Sequence, residues 1–127
     1  MLKSLLAGAA LTLAAGAAMA DPVEGTWQTE VDDGAYAYVQ IVPCGTKFCG
    51  TIARTFNAQG EYKAQTLGKQ LVWDMEPQGN GAYANGKIWR PSNDKTYKSK
   101  MLLSGDSLKV SGCVGPICLG QNWTRVQ

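Results

Sequence analysis

The sequence contains no histidine among its 127 residues. This absence excludes histidine-dependent catalytic triads, histidine zinc sites and the usual general base at neutral pH. A strong excess of one charge is also lacking, because 12 basic side chains are balanced by 10 acidic ones. Such a balance gives no electrostatic footprint for nucleic acid or for an anionic membrane surface. We therefore expect a protein that is not an enzyme, holds no cofactor and has no nucleic-acid partner.

Long apolar runs are also missing, with one exception at the start of the chain. The run from Leu5 to Ala20 has 16 residues and is rich in alanine, whereas a membrane span needs about 20 strongly apolar residues. Lys3 precedes the run, and the small-x-small sequence Ala18-Met19-Ala20 ends it before Asp21. This order is typical of a secretory signal peptide over residues 1–20. Because no cysteine follows the cleavage site, we predict a periplasmic or secreted protein that is not a lipoprotein and has no membrane span after cleavage.

The chain after residue 20 is expected to form one domain, residues 21–127, which is an ordinary size for a single domain. Apolar and polar residues alternate in it, and the pattern is clearest from Thr96 to Leu103, where Lys98 and Lys100 take the solvent side. The segment from Ser107 to Gly112 alternates in the same way. A period of two residues is typical of half-exposed antiparallel strands.

A sustained helical spacing of apolar residues is absent after residue 20, so helix content should be low. Turn residues recur at short intervals and divide the domain into about eight short strands. We predict an all-β fold, a small antiparallel up-and-down barrel, because closure leaves no exposed sheet edge. A β-sandwich is the competing interpretation. The segment 57–68 fits either a long loop or a single helical turn.

Four cysteines form two units of identical spacing, Cys44 to Cys49 and Cys113 to Cys118. In a small exported chain an even number of cysteines indicates disulfides, for which three pairings are possible. Each unit encloses turn-forming residues between β-like sequences, so we favour the two local bridges at hairpin tips. A metal site made of four thiolates and a redox-active dithiol are the alternatives, but both normally use closer cysteine spacing. We therefore predict structural disulfides and no metal site.

The predicted domain begins and ends with short tryptophan motifs, Glu24-Gly25-Thr26-Trp27 and Asn122-Trp123-Thr124-Arg125. These motifs resemble those of the calycin superfamily, the lipocalin-like barrels. In that superfamily an arginine of the final strand caps the first-strand tryptophan at the closed end of the barrel. The resemblance implies that Arg125 lies over Trp27 in a structural role, which an arginine can fill through cation–π contact and packing.

A second set of motifs extends over nearly the whole domain. In chain order the motifs are Glu24-Gly25-x-Trp27, Cys49-Gly50-Thr51-Ile52, Gly86-Lys87-Ile88-Trp89-x-Pro91, Lys95-Thr96-Tyr97, Leu108-x-Val110-x-Gly112 and Trp123-x-Arg125. Their order and spacing resemble the DUF2147 family, small exported bacterial proteins of unknown function. The resemblance implies an exported lipocalin-like barrel and supplies no activity or catalytic residue.

The leading functional hypothesis is a small-molecule-binding module of the bacterial envelope with an unknown, small apolar or amphipathic ligand. Eight-stranded barrels are either filled by their own side chains or leave room for one small ligand. Aromatic rings with polar tips are common in small-molecule sites. The candidates to line the mouth of the barrel are Tyr36, Tyr38, Trp73, Trp89 and Tyr97. For each of them, packing in the core or on the sheet is the competing interpretation.

The alternative hypothesis is a protein-interaction or hydrolase-inhibitor module that contacts an envelope protein through its disulfide-clipped loops. Lys47 and Phe48, at the first predicted tip, would be its anchors. A catalytic role would need a carboxylate pair, and the candidates are Asp74 with Glu76 and the adjacent pair 32–33. Turn-forming residues beside both pairs favour solvated loops instead.

Overall fold

The computed structural model describes residues 20–127, so the predicted signal peptide lies outside the described residues except for Ala20. Nine strands follow one another in the described part of the chain. Their bounds are β1 Gly25–Gln28, β2 Ala35–Cys44, β3 Lys47–Asn57, β4 Gly60–Tyr62, β5 Gln70–Gly79, β6 Ala82–Arg90, β7 Lys95–Ser104, β8 Ser107–Val114 and β9 Ile117–Arg125. Between residues 20 and 127 there is no helix with the length and apolar character to span a membrane.

Eight of these strands close into an antiparallel barrel. Strands that follow one another in the chain are paired, except β4 and β5; β3 pairs with β5, and β1 pairs with β9. β2 pairs with both β1 and β3, which closes the ring. β4 is a short arm beside the ring that pairs with β3. The prediction of an up-and-down barrel of about eight strands is confirmed, and the sandwich interpretation is wrong.

The predicted alternation positions the core. In β7, Ser99 and Met101 are buried while Lys98 and Lys100 are exposed. β8 continues the pattern with Leu108 buried, because its inward residues pair with those of β7. The inward rows of neighbouring strands meet in one core cluster, as expected when each strand buries one face.

The interpretation of residues 57–68 as only a loop or a helical turn is wrong, because β4 lies within this segment. Asn57 ends β3, and its Oδ1 accepts the N–H of Gln59 at 2.9 Å. Asparagine favours such a local turn. The chain therefore reverses at once, and Tyr62 of β4 lies opposite Thr55 of β3.

Strand directions divide the turns between two ends of the barrel. One end carries the turns at 45–46, 80–81 and 105–106 together with segment 21–24, and we call it the closed end. The other end carries loop 29–34 and the turns at 91–94 and 115–116, and we call it the mouth.

The closed end is sealed by the segment that precedes β1. Val23 and Trp27 are completely buried, and the Trp27 Nε1 donates a hydrogen bond to the Val23 carbonyl at 2.9 Å. The Arg125 guanidinium carbon lies 4.4 Å from the centroid of a Trp27 ring. Its Nη1 and Nη2 donate to the carbonyls of Glu24 and Pro22 at 3.1 and 2.6 Å. The position of Arg125 over Trp27, implied by the calycin resemblance, is confirmed.

Both predicted disulfides are present in the structure. Cys44 and Cys49 have Cα atoms 5.8 Å apart, and Cys113 and Cys118 have Cα atoms 4.0 Å apart. The first bridge joins the strands of the β2–β3 hairpin at the closed end, and the second joins those of the β8–β9 hairpin at the mouth. Disulfides persist in oxidising compartments, so the pair suggests an exported protein.

Candidate functional site

The inward positions of the barrel change from buried to half-buried toward the mouth. In β2, Val39 is fully buried while Ala37, two residues closer to the mouth, is half-buried. Ile88, Tyr97 and Gly112 are half-buried at the same level on β6, β7 and β8. A Cβ built on Gly112 would lie 3.3 Å from Ile88 and 3.5 Å from Tyr97, so the three positions adjoin one another. The inward positions near the mouth are therefore less completely buried than those deeper in the barrel.

An ion pair spans the mouth. Asp32 lies in the loop after β1 and Arg90 ends β6, and these two strands occupy opposite sides of the ring. The Arg90 Nε and Nη2 donate to the two carboxylate oxygens of Asp32, each at 2.9 Å. The Ser92 hydroxyl donates to the same carboxylate at 3.1 Å. The loop is thereby held across the opening of the barrel by a bidentate, charge-assisted contact.

The electrostatics of this pair keep both partners charged. Hydrogen bonds from Arg90 lower the pKa of Asp32 below its ordinary value of 3.8, more than burial raises it, and Ser92 adds to the lowering. The same hydrogen bonds raise the pKa of Arg90. Asp32 is therefore an ionised acceptor at neutral pH and has no proton to donate.

Further polar groups complete the rim. The Asn93 Nδ2 donates to the Tyr97 hydroxyl at 2.9 Å. A depression of about 440 Å³ at this end is lined by Asp32, Asp33, Arg90, Ser92 and Asn93. We call these five residues together with Tyr97 the polar mouth. It presents a guanidinium, a hydroxyl, an amide and a phenol at the rim of the barrel.

Two of the predicted ligand-binding aromatics lie on the outer wall of the barrel. Tyr36 and Tyr38 alternate with the inward alanines of β2 and pack on Phe56 of β3, with ring centroids 4.8 and 4.7 Å apart. The Arg54 guanidinium lies 5.5 Å from the rings of both Tyr38 and Phe56, and it pairs with Glu61 of β4. This outer cluster is a cross-strand packing arrangement.

The other three predicted aromatics are separated from that cluster. Trp73 follows buried Val72 and lies opposite Lys87 on β6. The Trp89 Nε1 donates to Asp94 at 2.8 Å. Tyr97 is the member of the predicted set that belongs to the polar mouth. The structure thus brings Tyr36 and Tyr38 together but does not gather all five, and ligand contact by each stays a prediction.

Sequence reasoning missed Arg90, Ser92 and Asn93 as site residues. A signal for Arg90 was present, because it continues the inward row of β6 after Gly86 and Ile88. Its partner could not be found locally, since Arg90 and Asp32 are 58 positions apart in the sequence. Closure of the ring alone brings them together.

The candidate carboxylate pair on β5 does not form an acid pair. Asp74 is exposed and has a φ of 57°, which interrupts the alternation before Met75. Glu76 accepts a hydrogen bond from Asn85 at 3.2 Å and pairs with Lys47 at 3.3 Å. Both contacts, that of Asn85 first, lower the pKa of Glu76, whereas a general acid at neutral pH needs a raised value. Residues 20–127 also contain no cluster of acidic or cysteine side chains suited to a metal ion.

The first clipped hairpin does not present the predicted anchors. Phe48 is buried and packs edge-on against Tyr83 with centroids 5.8 Å apart. The prediction that Phe48 protrudes is wrong, because it begins the inward row of β3 that continues through Gly50 and Ile52. Lys47 is occupied by its ion pair with Glu76.

In the described part of the chain, the half of β9 nearer the mouth pairs with β8 on one side but has no strand partner on the other side, where β1 has ended. β1 pairs with β9 at Trp27 and Gln28 only. Beyond that point the Asn122 N–H donates to the Glu30 carboxylate at 2.5 Å. Leu119 lies in this half of β9 and is 77% exposed.

The comparisons with known proteins agree with this architecture. Residues 25–125 match the family described as an uncharacterized protein conserved in bacteria, DUF2147. The chain belongs to the DUF2147 family. No curated protein matches this DUF2147 chain.

Among solved structures, the DUF2147 barrel is similar to HP1028 from the human pathogen Helicobacter pylori, described as a protein that belongs to the lipocalin family. The TM-score is 0.66 at 16% sequence identity, and the match covers 86% of this chain and 85% of that protein. An identity this low shows the fold alone. The DUF2147 barrel is therefore lipocalin-like in fold.

Proposed function

We propose that the protein is an exported, non-catalytic module that binds one small amphipathic molecule at the polar mouth. The observation that supports this most is the difference between the two ends. Val23 and Trp27 are fully buried at the closed end, while the inward positions of Ala37, Ile88 and Gly112 are half-buried below the mouth. A ligand can therefore gain apolar contact from one side only.

Arg90 defines the preferred chemistry of the ligand. Its guanidinium makes two hydrogen bonds to the Asp32 carboxylate, and a carboxylate, phosphate or sulfonate group of a ligand can accept the same two hydrogen bonds. A ligand with an anionic head would replace Asp32 at Arg90, and its apolar part would lie against Ala37 and Ile88. Tyr97 offers a further hydroxyl at the rim.

Export is the second part of the proposal. Residues 1–20 have the pattern of a signal peptide, and two disulfides clip the hairpins of residues 21–127. Both features are expected of a periplasmic or secreted protein. The small-molecule partner would then be one that is present in the bacterial envelope or outside it.

An anionic, amphipathic fluorophore tests the binding proposal. We expect anilinonaphthalene sulfonate to gain fluorescence on the folded protein, and Arg90→Gln to weaken its binding by about tenfold, a change of about 1.4 kcal/mol. Ala37→Phe, which puts a bulky side chain at a half-buried inward position below the mouth, should abolish the signal. Arg54→Gln is the matched control, because it breaks a similar ion pair on the outer wall.

Equal binding by the wild type, Arg90→Gln and Ala37→Phe would contradict a site at the mouth. Native mass spectrometry of the protein purified gently from the periplasm identifies the natural ligand. A co-purifying mass of a few hundred daltons that is lost in Ala37→Phe would support the proposal.

A further inference from the structure

The backbone nitrogen of Asp21 occupies a defined place at the closed end. It donates to Oε2 of Glu24 at 3.0 Å, and the Asp21 carbonyl accepts the Glu24 N–H at 2.9 Å. The Asp21 carboxylate accepts the Val23 N–H at 2.9 Å. These bonds form a compact turn in which a carboxylate already faces the nitrogen of the residue that follows the predicted cleavage site.

The barrel wall holds this turn in place. The Tyr83 hydroxyl of β6 donates to the Asp21 carboxylate, and Arg125 of β9 donates to the Pro22 carbonyl. Val23, within the turn, is completely buried. A depression of about 250 Å³ adjoins Asp21, Pro22 and Tyr83. Ala20, which precedes it, is exposed.

We infer that the Ala20–Asp21 peptide bond is a processing site, and that its cleavage creates an ion pair between the new α-ammonium of Asp21 and Glu24. The inference rests on the export part of the proposed function. Hydrolysis adds one water, whose hydroxyl completes a carboxyl group on Ala20 and whose hydrogen completes an amine on Asp21. At neutral pH the amine takes up one further proton.

Cleavage changes the strength of the contact that the nitrogen makes. The amide of the uncleaved chain offers Glu24 one neutral N–H, while the ammonium offers a charged donor, and charge-assisted hydrogen bonds are about twice as strong as neutral ones. The Glu24 carboxylate accepts from the nitrogen that becomes charged, whereas the Asp21 carboxylate is bonded to the Val23 N–H and the Tyr83 hydroxyl. Arg125 is the nearby cation, and Tyr83 stays neutral because burial, followed by Asp21, raises its pKa. Processing therefore stabilises the closed end after export.

A four-protein comparison isolates this contact. The chain that begins at Asp21 is prepared with a free or an acetylated amine, each with and without Glu24→Gln. We expect acetylation to raise the unfolding equilibrium constant of the wild type about fivefold and to leave that of Glu24→Gln within about twofold. Glu30→Gln is the matched control, because its carboxylate also accepts a backbone N–H, at Asn122, and the full acetylation effect should persist in it.

An equal effect of acetylation with and without Glu24 would overturn the ion pair. In the wild type the effect should be present at pH 6 and vanish above about pH 10, since an amine paired with a carboxylate loses its proton above the ordinary value of about 8. The mature protein should begin at Asp21 by intact mass, and a different first residue would overturn the processing site. None of these measurements involves the mouth, so their failure is distinct from failure of ligand binding.

Discussion

At the residue scale, the motifs of the DUF2147 chain are explained mainly by packing. Trp27 and Arg125 seal the closed end through one ring and one guanidinium. Gly86 is required for another reason, because a Cβ there would lie 2.5 Å from the Met75 Sδ and 2.8 Å from the Trp73 carbonyl oxygen. The small residue at position 86 therefore makes room for a buried methionine from the neighbouring strand.

Replacement of Arg125 by alanine should lower the free energy of unfolding by about 2–4 kcal/mol. The change removes the cation–π contact and leaves two carbonyls of segment 21–24 without their donors. Urea denaturation followed by tryptophan fluorescence measures the effect. Arg54→Ala, on the outer wall, should change stability little, and comparable losses in the two variants would argue against a special role for the closed end.

Gly86→Ala should destabilise the protein by about 1–3 kcal/mol, since the added methyl meets a backbone oxygen that cannot move cheaply. Gly112→Ala is the matched comparison, because its nearest neighbour would be Ile88 at 3.3 Å. It should cost less than about 1 kcal/mol. Thermal unfolding of both variants measures the two losses of stability, and the reverse order would show that the contacts at position 86 do not limit the size of its side chain.

At the scale of elements, irregularities in the strands and loops shape both ends. Asp74 and Asn85, with φ of 57° and 63°, lie where the pairing of β5 with β6 is interrupted, between the pairs Trp73–Lys87 and Glu76–Ala84. β1 is short, so the chain after Gln28 leaves the sheet and its loop crosses the mouth to Arg90. The loop that follows β1 therefore covers part of the mouth.

Asp32→Asn should release this loop at neutral pH with little change in global stability, because the pair is largely exposed. In the wild type the folded pKa of Asp32 lies below 3.8, so the contact is complete above that pH and is lost as the pH falls through the lower folded value. The Nε–H resonance of Arg90 reports on the pair. Its insensitivity to both the substitution and strong acid would contradict the bridge.

At the scale of the whole molecule, the sequence predicts most of the fold and little of the site. Alternating strands, local disulfides and the Trp27–Arg125 contact depend on short patterns or on motifs, and all are found. It is harder to predict which side chains of β2 point into the barrel. Ala35 and Ala37 alternate with Tyr36 and Tyr38, and either row could turn inward. The polar mouth depends on ring closure, which no local pattern encodes.

The two ends of the described chain meet at the closed end. The N–H of Val126 donates to the Thr26 carbonyl at 2.7 Å, and the Thr26 N–H donates to the Gln127 carbonyl at 2.7 Å. An affinity handle attached after Gln127 therefore projects from the side opposite Arg90. Protein captured on a sensor surface through that handle would turn its mouth toward the solution. A linker that joins Gln127 to Asp21 would keep the shape of the barrel, but it would remove the free amine of Asp21.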